Sequence, residues 1–95
     1  MIAFDQDRNE ILDYTFDYTD TLLDGESIVA SVWFVSGSMT LGTGAYAPTN
    51  SATATTCWIQ SGHKPSETKV TNRITTDNVP PRKFERSFIV RTVDK

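Results

Sequence analysis

From Glu10 to Thr19 the chain reads EILDYTFDYT, with large apolar side chains on every second position. Leu12, Tyr14, Phe16 and Tyr18 share one face, and Ile11, Asp13, Thr15 and Asp17 share the other. Successive side chains of a strand point to opposite faces, so this rhythm predicts a β-strand with one side in a core and one in solvent. Thr19-Asp20 then caps a short turn through Leu22 and Leu23, and Asp24-Gly25 is a second turn signal. Ser27 to Val35 (SIVASVWFV) is apolar nearly throughout, with Ser31 the small polar exception. Such a run predicts a central strand covered on both sides. Its two faces are Ile28, Ala30, Val32, Phe34 and Val29, Trp33, Val35, and the pattern does not choose the inner one.

The same period continues to the C-terminus. Ser36-Gly37-Ser38 reads as a turn and Met39-Thr40-Leu41 as a short strand. Gly42 to Ser51 (GTGAYAPTNS) reads as a loop in which Tyr46 is the one large side chain. Ala52–Gln60, Glu67–Thr76 and Lys83–Val93 read as three more strands. They are separated by Ser61-Gly62 with Lys64-Pro65-Ser66, and by the proline-stiffened hairpin loop DNVPPR at Asp77–Arg82. No window places apolar residues at the three- and four-residue spacing of a helix. About six short strands with turns between them predict a sandwich or a barrel.

Ninety-five residues leave room for one domain, expected to span 1–95. No run approaches the roughly 20 apolar residues of a membrane helix. Met1 to Asp7 lack a basic stretch followed by an apolar one, so no signal peptide is expected and synthesis in a cytoplasm is. The net charge of −3 hides an asymmetry. Residues 1–26 carry eight carboxylates against Arg8, whereas residues 64–95 carry eight cations against Glu67, Asp77, Glu85 and Asp94. The two halves are expected to pair across neighbouring strands or, alternatively, between copies of the chain. No clustered basic patch suits phosphate, so no nucleic-acid partner is expected.

The inventory for chemistry is thin. Cys57 is alone and cannot form an internal disulfide, and together with His63 it supplies too few ligands for zinc. It is expected to be a small buried strand residue. His63 sits beside the Gly62 turn, and a triad built on it has almost no specificity among so many serines and aspartates. Asp5, Asp7 and Asn9 begin like a calcium loop, but Ile11 and Phe16 stand where that loop needs glycine and glutamate. Phosphate-binding glycine loops and paired cysteines are absent. No catalytic residue, metal or cofactor is therefore expected. Trp33 and Trp58 lie mid-strand among apolar neighbours and are expected in the core.

Two blocks carry a family resemblance. LDYTFDYTDTLLDGESIVAS, and later CWIQSG followed by TKVTNRITT and ERSFIVRTV, resemble in order and spacing segments of small structural proteins of tailed bacteriophages and prophages. The similarity covers roughly residues 3–35 and 55–93. Tyr18 stands where that family has Trp, Ser61-Gly62 where it has paired glycines, and Lys69 where it has Tyr. The resemblance implies an immunoglobulin-like β-sandwich of about six to seven antiparallel strands, in a virion assembled in the bacterial cytoplasm. It implies a non-enzymatic head decoration, neck or tail component. The expected partners are other virion proteins (major capsid, neck or tail subunits) or a second copy of the chain, with no membrane. The expected contact residues lie on loops (Tyr46, Pro48, Pro80, Pro81 and Arg82) or on exposed strand edges. The alternative is a carbohydrate-binding or adhesion module presenting Trp58 and Tyr46 as a platform, and a weaker one is a hydrolase fragment.

Overall fold

A computed structural model describes residues 2–7, 9–37, 39–61 and 67–93. The elements in chain order are β1 (Ala3–Asp7), β2 (Ile11–Asp17), β3 (Ile28–Val35), β4 (Thr40–Leu41), β5 (Thr49–Asn50), β6 (Ala54–Gln60), β7 (Glu67–Thr76) and β8 (Lys83–Val93), with a single 3₁₀ turn at Gly44–Tyr46. They form two sheets. The first has the order β1-β8-β7-β3, and in the second β6 lies between β2 and β4, with β5 also paired to it. The sheets pack face to face as a β-sandwich. One pairing departs from the antiparallel expectation: β1 runs parallel to β8, from Ala3 opposite Ile89 to Asp7 opposite Val93.

The period-two pattern explains the packing. Along β7, Thr68, Val70, Asn72, Ile74 and Thr76 are buried, and the residues between them face outward. Thr55, Cys57 and Ile59 do the same along β6. One core cluster holds Trp33, Met39, Cys57, Ile59, Val70, Phe88 and Val90; a second holds Tyr18, Ile28 and Ile74, and Phe16 packs against both. Each fully buried aliphatic side chain contributes about 1.5–3 kcal/mol relative to an exposed one. His63 and the turn expected at Lys64-Pro65-Ser66 lie outside the described residues.

A polar knot ties the sheets together beside the apolar core. Asn72 on β7 accepts from the Tyr18 hydroxyl at 2.8 Å and the Thr55 hydroxyl at 2.9 Å. Its amide donates to Ser31 Oγ at 2.9 Å and to the Val32 carbonyl at 3.2 Å. One buried side chain thus joins segments from both sheets, and buried polar groups persist only when paired in this way.

β3 is the principal correction to the sequence reading. It is not covered on both sides; it is an edge strand, paired only with β7 within its sheet. Ile28 and Trp33 both point inward although five positions separate them, because the register slips between Ile28 and Ala30. A bulge inserts one unpaired residue and inverts the alternation beyond it. The outward apolar residues are Val29, Val32 and Phe34.

Candidate interaction surfaces

The free edge of β3 is the first surface. Val29 is 61% exposed, Val32 49% and Phe34 46%. No charged residue or proline occurs between Ile28 and Val35. Edge strands are commonly protected by such residues or by bulges, and here only the bulge near Ile28 serves. The guanidinium of Arg73 lies 5.0 Å above the Phe34 ring and also bonds Glu85 at 2.9 Å, so the apolar strip borders a charged ladder on the outer face of β7 and β8.

The second surface lies at the opposite end of that sheet, where the free edges of β1 and β2 face each other. Two polar clasps close the sandwich here. Gln6 is fully buried; its amide donates to the carbonyls of Ile59 at 2.8 Å and Glu10 at 3.0 Å, and its oxygen accepts from the Tyr14 hydroxyl at 2.6 Å. Burial pushes the Tyr14 phenol up to about 12, and its electrostatic coupling to the neighbouring Cys57, Glu10 and Asp13 adds to the shift. At the other clasp Arg86 on β8 reaches across to β2 and the turn beyond it, donating to the Asp17 carbonyl at 3.1 Å and to Thr21 Oγ1 at 2.5 Å. Its guanidinium covers the Tyr18 ring at 4.4 Å.

Between the clasps the sandwich is open. A cleft of about 150 Å³ is lined by Ile2 and Phe4 on one side and Tyr14, Thr15 and Phe16 on the other, with Ser87 and Phe88 between them. Phe4 lies 5.1 Å from Tyr14 and 5.6 Å from Phe88, and Phe16 lies 5.4 Å from Phe88, so the cleft is walled by a tilted and edge-on aromatic cluster. Ile2 remains 65% exposed and Phe4 40%. Sequence reasoning did not find this surface. Its only signal was Ile2 and Phe4 two positions apart, and the inward Gln6 hides the alternation of β1.

The loop residues singled out from sequence occupy separate places. Tyr46 rests against Trp58 with ring centroids 5.2 Å apart and planes at 66°, and stays 43% exposed. Gly42 permits this, since a Cβ there would lie 2.5 Å from the Tyr46 carbonyl oxygen and 3.0 Å from the Trp58 Cβ. The two rings meet edge to face, not as a flat platform, and Trp33 is buried in the core. Trp58 itself is half-buried on the outer side of β6, not in the core as expected. Pro48 is exposed just before β5. Pro80 and Pro81 are exposed in the β7–β8 hairpin, where the Val79–Pro80 peptide is cis and Val79 is 92% exposed. Arg82 is tied down: it bonds Glu26 at 2.8 Å and covers the Phe84 ring at 4.7 Å. The hairpin and the Tyr46 loop do not come together as one patch.

Glu26 accepts the Leu23 backbone N–H at 2.9 Å and the Thr76 hydroxyl at 2.6 Å. Those bonds, followed by Arg82, hold its carboxyl below the usual glutamate range. The pair with Arg82 links the acidic N-terminal part to the basic C-terminal part. Arg73–Glu85 and Arg91–Glu67 pair within the latter. Asp13, Asp17, Asp20 and Asp24 stay exposed. Cys57 is buried, and desolvation, then Asp13, pushes its thiol up to about 12. Asp5 and Asp7 lie in a strand, not a loop, and no group of three or more metal-ligating side chains occurs among the described residues.

The fold is a small β-sandwich with exposed apolar side chains at its strand edges, a kind of surface through which proteins make contacts. The chain belongs to the family described as podophage GP4 fiber-tail adaptor protein gp77, whose family model matches residues 6–91. It is thus a structural protein of a tailed-phage virion. No curated protein matches the chain.

Proposed function

We propose that this chain joins a fibre component to the phage tail without catalysing a reaction, and that residues 1–95 act as one immunoglobulin-like domain. The strand order supports that fold reading. β2-β6-β4 and β3-β7-β8 match the two sheets of immunoglobulin domains, with β1 moved beside the last strand. The tail is preferred to the head or neck because the family is described by a fibre–tail role.

The observation that carries the proposal is the pair of exposed apolar surfaces at the two ends of one four-stranded sheet, around Ile2 and Phe4 beside β1 and along β3 at the other end. An adaptor needs two contacts that do not compete. The β3 edge suits strand addition, in which main-chain hydrogen bonds provide affinity and alternate side chains provide specificity. Each contact can be weak, because a chain engaged on both sides within a repeated assembly gains from effective concentration.

The test is electron microscopy of particles made without this chain. Heads and tails are expected intact, with fibres missing. Fibres present in normal number would overturn the adaptor reading. Phe34→Lys, which places a charge on the exposed edge, is expected to reduce incorporation of the chain while leaving it folded.

A further inference from the structure

We propose that the cleft between β1 and β2 is a socket for one large apolar side chain of another virion protein, on a segment that carries Lys or Arg on either side of that anchor. The inference rests on the adaptor reading only in taking the occupant from the virion.

Size and lining define the anchor. A cavity of about 150 Å³ walled by apolar side chains stays dry and accepts a ring the size of benzene. The cleft has that volume, with Phe4, Tyr14, Phe16 and Phe88 as walls. Its aromatic walls present both ring faces and edges, which favour an aromatic guest in a tilted arrangement. The clasps fix its ends. Gln6 has both amide hydrogens and its oxygen engaged, and Arg86 is held on the Asp17 carbonyl, Thr21 and the Tyr18 ring. The cleft is therefore held open by bonds the protein already makes.

Charge defines the flanks. Thr15 lines the cleft from the outer face of β2. Asp13 and Asp17, two positions to either side, are exposed on that same face, about 7 Å away along the strand. Asp13 forms no ion pair among the described residues. Thr19 hydrogen bonds, then Arg86, hold the Asp17 carboxyl below its ordinary range. Among the described residues, the rim on the β2 side thus carries the carboxylates of Asp13 and Asp17 against the guanidinium of Arg86. Carboxylates beside an apolar socket select cations beside the anchor and speed encounter with them.

The test titrates the isotope-labelled protein with the capped pentapeptide Lys-Lys-Phe-Lys-Lys and follows backbone amide shifts. Saturable shifts are expected at Ile2, Phe4, Thr15 and Ser87. Binding is expected to fall at least ten-fold when Phe is replaced by Ala in the peptide, and at least ten-fold for Glu-Glu-Phe-Glu-Glu. Absence of saturation, equal binding of the Ala peptide, or shifts centred on β3 or Tyr46 would overturn the assignment. The double variant Asp13→Lys/Thr15→Lys changes only exposed strand positions and is expected to lose the peptide at least ten-fold with its spectrum otherwise native; retained binding would contradict the proposal. If the peptide does not bind but particles without the chain lose their fibres, the socket falls and the adaptor reading stands. If those particles keep their fibres while the peptide binds, the reverse holds.

Discussion

Replacing Asn72 by leucine is expected to cost far more than any one of its hydrogen bonds, and to reverse the effect of a second substitution. In the native fold Asn72 Oδ1 accepts from both Tyr18 and Thr55, and both donors are fully buried. Leucine keeps the volume but leaves both hydroxyls stranded. At about 1–3 kcal/mol for each buried group without a partner, the loss for the two hydroxyls is about 2–6 kcal/mol. Against a total of roughly 5–15 kcal/mol this is severe, and for a domain this size it lowers Tm by on the order of 20 °C. Tyr18→Phe in the native background is expected to cost about 1 kcal/mol, because Thr55 still satisfies the Asn72 oxygen. In the Asn72→Leu background the same change removes a stranded hydroxyl and is expected to restore about 1 kcal/mol. The contact of Arg86 on the Tyr18 ring is common to both backgrounds and cancels in the cycle. Urea denaturation followed by tryptophan fluorescence measures the four stabilities at constant m. Equal costs of Tyr18→Phe in the two backgrounds would refute the view that Asn72 organises this knot.

Two further expectations follow from the same structure. Glu26 has its folded pKa lowered from the usual 4.5, first by the Leu23 N–H and then by Thr76 and Arg82. Its contribution is therefore fully present above the unfolded value and lost as pH falls through the folded one. Glu26→Gln should lower stability near neutrality and flatten the acid limb below pH about 4.5, as read from denaturation midpoints across pH. Gly42→Ala drives a Cβ into the Tyr46 backbone. It should cost about 1–3 kcal/mol as an overpacking change and shift the Trp58 emission as Tyr46 leaves its ring.

The parts of the fold that follow one rule were legible in the chain. β2, β7 and β8 alternate, and their inner faces are the ones the pattern gives, whereas in β6 Trp58 reads as core yet lies on the outer side. β1 was not legible, because its inward position Gln6 is polar and reads as solvent-facing; only its three hydrogen bonds explain its burial. β3 misled for the opposite reason. Val29, Val32 and Phe34 read as core, yet they are exposed. Apolar residues kept for a partner and those kept for the interior look alike in a sequence, and the bulge that separates them has no compositional mark. The loop residues were sought where glycine and proline cluster. Exposed strand edges are the other expected place, and the surfaces that stand out lie there; which strands form the edges is a property of topology that no local composition announces.

On the adaptor proposal, both ends of the four-stranded sheet are contact surfaces within the tail. Cryo-electron microscopy of the intact virion tests it most directly. This chain is expected at the fibre–tail junction, with one neighbour along Val32 and Phe34 and a different neighbour seated against Phe4 and Thr15. Density for the chain on the head, or with either of those edges bare to solvent, would contradict it.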